Sequence, residues 1–415
     1  MFRNYLLTAF KVFMRRKLFT AINLLCIVLT LVVLMVIASL LETAFRPSGV
    51  EGKSERFLQV FMMRMDSPSG NARSNTPPGF KLIEKYLKPM PGVERVAAVT
   101  LPSSVSVYQG SSVSELQMRR ADADYWKVLD FRLLAGRLPT GADDAAGRMI
   151  AVLNASSARR LFPGAPSAAL GQRIDIGGQV FEVVGVVEDA MHFNAYADIW
   201  APISTFASSG YRNELTGTFT ALVLAERVSD LPRIKEQVAQ IASGVVHDDP
   251  KQWKTIRFWA DSKLDLFARV LTSSDDGPDS GAGKLLAVIA VAMVVFMLLP
   301  ALNLVNLNTG RIMERRSEIG VRKAFGATSA QLALQLVVEN VLLCLAGGLI
   351  AFGATAGVLA WLEGSNLIPY LEVELNLAVF GWGMLIATVF GLLSGVLPAW
   401  KMSRLDPVHA LKGAI

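Results

Sequence analysis

Four long apolar runs constrain this chain more than any other feature of its sequence. A helix needs ~20 predominantly apolar residues to cross a bilayer, and each run reaches that length. With 52% hydrophobic side chains among 415 residues, the chain is too apolar to be only a soluble protein. We therefore predict an α-helical membrane protein with four transmembrane helices, at residues 18–43, 284–307, 332–361 and 377–398.

The distribution of charge predicts the topology. Segments 1–17, 308–331 and 399–415 together hold 13 basic and 3 acidic residues, whereas 43–284 holds 28 basic and 27 acidic ones. Short cytoplasmic segments are enriched in Lys and Arg, so we place these three segments, and hence both termini, inside the cell. The net charge of +6 then reflects topology and contact with anionic lipids. It does not indicate nucleic-acid binding, because no basic face with interleaved aromatic residues is present.

The first 17 residues predict an amphipathic helix at the cytoplasmic surface. A cleaved signal peptide is the rival interpretation of the first apolar run. That run is longer than the usual 7–15 residues of a signal peptide, and no A-x-A site follows it. We expect it to remain as an anchor.

Residues 44–283 are predicted to form a large extracytoplasmic α+β domain, inserted between the first two spans and divided into two lobes. A flexible polar linker at 272–283 follows, and residues 362–376 form a short external loop. Stretches rich in β-branched residues predict strands, and amphipathic stretches predict helices. The strands are 57–63, 93–100, 149–153, 173–176 and 181–187, with a turn at Gly177 and Gly178, and the helices are 80–87, 156–161 and 231–242.

The sequence offers no catalytic, metal or cofactor site. Both cysteines, Cys26 and Cys344, fall within predicted spans, so the external domain can have no disulfide framework. The three histidines are scattered, and HExxH and GxSxG motifs are absent. Gly283-Lys284 resembles a phosphate loop, but Leu285 stands where Ser or Thr must bind Mg²⁺. We predict that the chain is not an enzyme and that any ATP and Mg²⁺ are bound by another polypeptide.

The charged segment 308–331 lies between the second and third spans. Glu318 and Arg322 are spaced for a helical ion pair, and Gly326 suits the end of a helix. Thr328 and Gln331 fit a capping box that starts the next helix. The pattern predicts a short helix in a cytoplasmic loop, and an ordinary basic loop is the alternative.

This segment resembles a known signature. Residues 315–327, RRSEIGVRKAFGA, match R-x-x-E-I-G-x-R-x-A-x-G-A, the coupling-loop signature of ABC transporter permeases of the MacB/FtsX family. The resemblance implies a coupling helix that contacts a cytoplasmic ABC ATPase. It also implies a second permease, either identical or different, a periplasmic adaptor protein and location in the bacterial inner membrane. The implied ATPase contacts are Arg315, Glu318, Ile319, Gly320, Arg322, Lys323, Ala324, Phe325 and Gly326.

Weaker motifs extend the resemblance along the chain. Segments 123–137, 158–162, 170–171 and 181–187 are similar to the family's external core domain, and 398–411 to its ending. Taken individually, Gly136, Gly171 and Gly185 are more typical of turns or strand packing, and the aromatic residues are more typical of a core.

Polar residues and small residues mark the predicted spans. Asn303 and Asn306 share a helix face and favour helix packing over a role in conduction. An ionisable group in a span is a functional candidate, so Glu339 and its neighbour Asn340 predict either a gating role or pairing near the interface. Helix packing is predicted at Gly353, Gly357, Gly391 and Gly395.

The resemblance implies that the chain transmits movement across the membrane, without a central pore for the substrate. ATP hydrolysis by the partner would move the spans and change the shape of the external domain. Such permeases export drugs, peptides, lipids or lipoproteins. The alternative is a regulator of the cell-division type that activates cell-wall hydrolases and transports nothing. A membrane-anchored enzyme is disfavoured, because no catalytic motif is present.

Overall fold

The computed structural model describes residues 13–15, 17–109, 112–190, 192–274, 277–314, 321, 328–365, 373 and 377–403. These residues divide between two compact units, one within 44–285 and the other within 1–43 and 286–415. The α-helices of the two units are α1 (Lys17–Phe45), α2 (Phe80–Leu82, continued by a π-helical turn Ile83–Leu87), α3 (Tyr125–Val128), α4 (Gly141–Ala145), α5 (Ala155–Leu161), α6 (Leu231–Gly244), α7 (Lys263–Thr272), α8 (Ala282–Glu314), α9 (Ser329–Gly364) and α10 (Leu377–Ser403).

The unit 44–285 is built on β-sheet. Its strands are β1 (Phe57–Val60), β2 (Met63–Asp66), β3 (Arg73–Thr76), β4 (Val93–Thr100), β5 (Ser103–Gln109), β6 (Ser112–Ala121), β7 (Leu133–Gly136), β8 (Ile150–Asn154), β9 (Arg173–Ile176), β10 (Gln179–Val187), β11 (Ile199–Pro202), β12 (Phe219–Ala225) and β13 (Thr255–Phe258). Ten of them form one mixed sheet in the order β1-β12-β4-β6-β11-β8-β10-β9-β5, with β7 beside β10. The other three form a sheet in the order β13-β2-β3.

Part of the large sheet closes on itself. Strand β5 pairs with β9 on one side and with β6 on the other, so the strands from β6 round to β5 form a ring. Inward side chains such as Val107, Phe181 and Ile199 are fully buried and fill this ring. A second core lies where β1 and β12 meet α6 and the three-stranded sheet, and it contains Phe219 and Phe258. A third cluster contains Tyr125 and Trp200. The unit has the predicted α+β character, and its division into two lobes stays a prediction.

The four long helices pack around one apolar cluster. Ile27 of α1, Met297 of α8, Leu343 of α9 and Ala387 of α10 all belong to it. Two of these helices, over Thr20–Thr43 and Val337–Gly364, are long and apolar enough to cross a membrane among the residues described. Helices α8 and α10 contain shorter apolar stretches, Ala282–Leu298 and Phe380–Leu393. The count of four spans therefore stays a prediction.

Several predicted boundaries need correction. The fourth helix does not end at Pro398 but continues to Ser403, since membrane helices tolerate a proline whose freed carbonyl finds another partner. The strand predicted at 57–63 is two strands, β1 and β2, that belong to different sheets. Helix α8 runs to Glu314, so residues 308–314 of the predicted loop 308–331 continue that helix. Of the predicted helix 1–17, the structure describes only 13–15 and 17, as helix.

Candidate functional site

The predicted coupling helix lies outside the residues that the structure describes. This applies to all of the implied ATPase contacts, which are Arg315, Glu318, Ile319, Gly320, Arg322, Lys323, Ala324, Phe325 and Gly326. The capping box that follows them is confirmed. The Thr328 hydroxyl accepts a hydrogen bond from the Gln331 amide at 3.3 Å, and the Gln331 side chain accepts one from the Thr328 amide at 3.1 Å.

The polar residues of α9 lie inside the helical bundle. Glu339 and Asn340 are each 1% exposed, and the Gln335 amide donates a hydrogen bond to Glu339 Oε1 at 3.1 Å. Asn23 of α1, which sequence reasoning did not select, is fully buried as well. Burial of three amide or carboxyl side chains is costly unless they are hydrogen-bonded, so these residues restrict how the helices can pack. The side chains of Asn303 and Asn306 are not among those described.

Glycines lie where the long helices approach each other closely. Gly391 is one of the predicted positions, and Gly347 is not. A Cβ on Gly391 would lie 2.6 Å from Cys344 Sγ, and one on Gly347 would lie 2.7 Å from Ile27 Cγ2. By contrast, a Cβ on Gly353 or Gly357 would meet nothing within 4 Å. The close approach of α9 to α1 therefore occurs before the predicted GxxxG pair. The surroundings of Gly395 lie outside the described part.

The external motifs serve the core of the unit 44–285. Tyr125, Trp126, Phe131 and Trp200 form a buried aromatic cluster, in which Trp126 and Phe131 have ring centroids 4.9 Å apart. A Cβ on Gly136 (φ 76°) would meet the Val184 carbonyl and the Leu170 side chain. These placements agree with the structural interpretation of the motifs.

Five charged residues of this unit are connected to one another through ion pairs and helix α7, and we call them the base: Glu51, Asp261, Lys263, Asp265 and Arg269. The base begins directly after α1. Glu51, in a 3₁₀ turn Gly49–Glu51, has no exposed surface. Its Oε1 accepts a hydrogen bond from the Asn194 amide at 2.9 Å, and its Oε2 forms an ion pair with Lys263 Nζ. Lys263 is the first residue of α7, which lies shortly before α8 along the chain. This ion pair connects the segment leaving α1 with the segment entering α8.

Arg269 of α7 forms the second part of the base. Its guanidinium donates two hydrogen bonds to the Asp261 carboxylate, at 2.8 and 3.0 Å. It donates two more to the carbonyl oxygens of Ser274 and Gly277, at 2.5 and 3.0 Å. The guanidinium also lies over the ring of Trp259, with Cζ 4.5 Å from the centroid. Bidentate ion pairing of this kind fixes direction as well as distance.

These contacts contradict the predicted flexible linker at 272–283. Besides the two carbonyls held by Arg269, the Ser280 hydroxyl donates to Asp265 Oδ1 at 2.6 Å. Gly281 has φ 75°, and a Cβ there would lie 2.7 Å from the Ser274 hydroxyl. The described part of the linker is therefore held against α7. Local composition favoured flexibility, but long-range hydrogen bonds from Arg269 and Asp265 outweigh it.

Asp265 is the central acceptor of this arrangement. Its carboxylate caps α7 through Ser262, forms an ion pair with Lys235 at 2.5 Å and accepts the hydrogen bond from Ser280. Burial alone would raise the pKa of Asp265, but the hydrogen bonds from Lys235, Ser280 and Ser262 outweigh it and lower the pKa to about 2. The group is thus ionised at neutral pH and holds three elements together.

Sequence reasoning missed Glu51, Asp261, Lys263 and Arg269. Only the capping box formed by Ser262 and Asp265 had a readable local signal, S-x-x-D before a helix. Within the described ranges no group of three or more His, Cys, Asp or Glu side chains could hold a metal ion. Within the unit 44–285, the arrangement connects the turn Gly49–Glu51, helix α7 and Ser280 to one another and, through Asp261, to β1.

Comparisons with known proteins agree with the two-unit architecture. Residues 20–241 match the family described as MacB-like periplasmic core domain, and residues 290–407 match the family described as FtsX-like permease C-terminal. An uncharacterized ABC transporter permease, YknZ of Bacillus subtilis, is 24% identical over 334 residues, which are 79% of this chain and 77% of that protein.

Longer relatives match over part of their length. The macrolide export ATP-binding/permease protein MacB of Salmonella typhi is 24% identical over 319 residues, which are 76% of this chain. The chain spans about half, 46%, of the length of that relative. The crystal structure of the periplasmic region of MacB from Actinobacillus actinomycetemcomitans aligns at a TM-score of 0.39 and 16% identity, covering 55% of this chain and 97% of that one.

Proposed function

Because this chain belongs to the family of ABC transporter permeases that carry a MacB-like periplasmic core domain and an FtsX-like permease segment, we propose that it transmits the work of a separate cytoplasmic ATPase to its external domain. The family is one of bacterial inner-membrane permeases. Both termini and the segment 308–331 are cytoplasmic in this proposal, and residues 44–283 are extracytoplasmic. The ATPase binds ATP and Mg²⁺, and this chain binds neither.

The base of the external unit is the observation that supports this proposal most. Ser280, just before α8, contacts Asp265 of α7, and Arg269 of α7 holds Asp261. Asp261 in turn exchanges backbone hydrogen bonds with Gln59 of β1, at 2.8 and 2.9 Å. Buried and bidentate contacts thus form a continuous route from the start of α8 to the large sheet. A displacement of α8 would be passed to the sheet because no described step of this route is a loose link.

A second bonded connection leads from the end of α1. The Glu51–Lys263 ion pair ties the turn after α1 to the start of α7. Separating the two side chains would leave a buried charge uncompensated, which is costly. The turn after α1 and the start of α7 are therefore expected to move together. We therefore assign the role of transmission to the residues that hold the two helix ends to one base: Glu51, Asp261, Lys263, Asp265 and Arg269.

Export is the proposed outcome of this movement. Relatives are named for macrolide export and for probable syringafactin export. We propose a drug, peptide, lipid or lipoprotein as the cargo, carried by a complex of two permease copies, each with an ATPase. A periplasmic adaptor and membrane lipids complete the proposed set of partners.

The assignment of the coupling helix is tested by removing its charges. The full-length chain is purified from its host with the ATPase that accompanies it and is reconstituted in liposomes. We expect the double substitution Glu318→Ala and Arg322→Ala to leave membrane insertion intact and to abolish the ATP hydrolysis that depends on the permease.

The matched control removes the same two types of charge from the external surface. Arg132 and Glu188 form an exposed pair at 3.2 Å, with side chains 73% and 51% exposed. Substituting both with Ala should leave coupled hydrolysis unchanged. Unchanged hydrolysis in the Glu318/Arg322 variant, or copurification of no nucleotide hydrolase, would reject the proposal.

A further inference from the structure

Helix α7 carries an exposed row of large apolar side chains. Phe267, Val270 and Leu271 are 46%, 69% and 57% exposed, whereas Ala268 and Arg269 between them are buried. Residues three and four apart lie on one side of a helix, so these three side chains form one continuous strip, which we call the α7 ridge. Exposed apolar groups of this kind mark interaction sites when they are contiguous.

The ridge is held in place by the rest of the helix. A capping box formed by Ser262 and Asp265 fixes the start of α7. Lys263 pairs with Glu51, and Arg269 pairs with Asp261 through two hydrogen bonds. The contacts of Arg269 and the burial of Ala268 define the inward side of α7, so the outward direction of the ridge is determined by the fold and does not result from a frayed helix end.

Helix α7 contacts both segments that lead to the long apolar helices, and the ridge itself contacts the first of them. The ring of Phe267 contacts that of Phe45 in an edge arrangement, with centroids 5.6 Å apart. Phe45 is two residues past Thr43, where the candidate span of α1 ends, a separation of about 3 Å along a helix. On the other side, Ser280 contacts Asp265, and the apolar stretch of α8 starts at Ala282.

We propose that α7 is an interfacial helix whose ridge inserts into the outer leaflet of the lipid bilayer. Amphipathic helices at this position bury their apolar side at the boundary between headgroups and acyl chains, ~5–10 Å deep. The side chains of Arg46 and Lys284, beside the ends of the two apolar helices, are exposed and suit the phosphate groups of that layer. Lipid is favoured over a protein partner because the ridge touches the residue that follows a span.

This inference goes beyond the proposed function and does not need the ATPase. It assigns the base of the external unit a fixed depth at the membrane surface. Movement transmitted through the base would then tilt or rotate the lobes above it, while α7 stays at the interface.

The test uses a fluorophore that reports contact with lipid. In the full-length chain, with Cys26 and Cys344 replaced by Ala, single cysteines are introduced as Val270→Cys and Leu271→Cys and labelled with an environment-sensitive dye. The protein is reconstituted in phospholipid vesicles with or without lipids that carry a nitroxide quencher high in the acyl chain. We expect blue-shifted emission that the nitroxide lipid quenches strongly.

Two control positions calibrate the result. Val180 is similarly exposed, at 52%, and belongs to β10, one of the strands that form the closed ring. Leu349 is 66% exposed and belongs to the candidate span of α9. Val180→Cys should be unquenched and Leu349→Cys quenched, which also shows that the labelled chain inserts. Labels at 270 and 271 that behave like the one at 180 would overturn the proposal. Blue-shifted emission without quenching would overturn it too, since a protein would then cover the ridge.

Discussion

At the scale of single residues, Arg269 explains more of the proposed base than any other side chain described. Its five donors match a carboxylate and two backbone carbonyls at once, and its plane stacks on Trp259. A lysine could satisfy only part of this set, because it lacks the planar fork. The same residue therefore joins the strand edge at Asp261, helix α7 and the segment that leads to α8.

Loss of Arg269 should destabilise the external unit strongly. Arg269→Ala leaves the Asp261 carboxylate, 10% exposed, without its partner, and removing one member of a buried pair costs about 3–5 kcal/mol. Urea unfolding of the full-length chain in detergent, followed by circular dichroism, measures the change. Arg132→Ala, at an exposed pair, should cost at most about 1 kcal/mol. Equal effects of the two substitutions would contradict the role given to Arg269.

Asp265 predicts how this base responds to acid. Because its pKa is lowered to about 2 from an unfolded value of ~3.9, its contribution to stability is present above pH ~4. That contribution is lost as the pH falls toward about 2. The difference in unfolding midpoint between the wild-type chain and Asp265→Asn should therefore be constant near neutral pH and shrink in acid. A difference that shrinks as the pH rises would contradict the assignment.

At the scale of elements, glycine positions determine how closely the long helices approach. Gly347 of α9 faces Ile27 of α1, whose β-branched side chain has little freedom to turn away within a helix. Gly353, on the same helix, faces open space. Both positions are glycines of α9, so they differ mainly in what surrounds them, and the same substitution can be compared at each.

Alanine at these two positions should have opposite effects. Gly347→Ala places a methyl group against Ile27 and is expected to cost about 1–3 kcal/mol through overpacking. Gly353→Ala meets no atom and should be neutral or stabilising by about 0.5–1 kcal/mol, since Ala favours a helix over Gly. The thermal midpoint of the purified chain in detergent compares them. Equal midpoints would show that Gly347 is not a close contact.

The elements that sequence reasoning predicted well are those with local signals. The turn at Gly177 and Gly178 joins β9 to β10 as expected, and Thr328 caps α9. The closing of β5 onto both β6 and β9, and the attachment of the linker by Arg269, depend on partners far apart in the chain. No periodicity or turn residue encodes such a pairing, so the barrel and the stiff base could not be predicted. The helix end predicted at Pro398 is wrong, because the helix continues through the proline to Ser403.

At the scale of the whole molecule, the proposed function joins the two units by one requirement. In that proposal the bundle of long helices receives work at segment 308–331, on the cytoplasmic side, and the unit 44–285 responds to it. The proposed transmission rests on the base formed by Glu51, Asp261, Lys263, Asp265 and Arg269. If that base is stiff, ATP turnover on one side of the membrane changes the external lobes on the other.

The most direct test of this claim is a distance measured during ATP turnover. Spin labels at Val180→Cys in the external unit and Leu349→Cys in α9, in a chain otherwise without cysteine, report by pulsed electron paramagnetic resonance in liposomes with the partner ATPase. We expect ATP to shift the distance distribution in the otherwise wild-type chain and not in the Glu318→Ala, Arg322→Ala variant. An ATP-independent distance in a complex that hydrolyses ATP would contradict it.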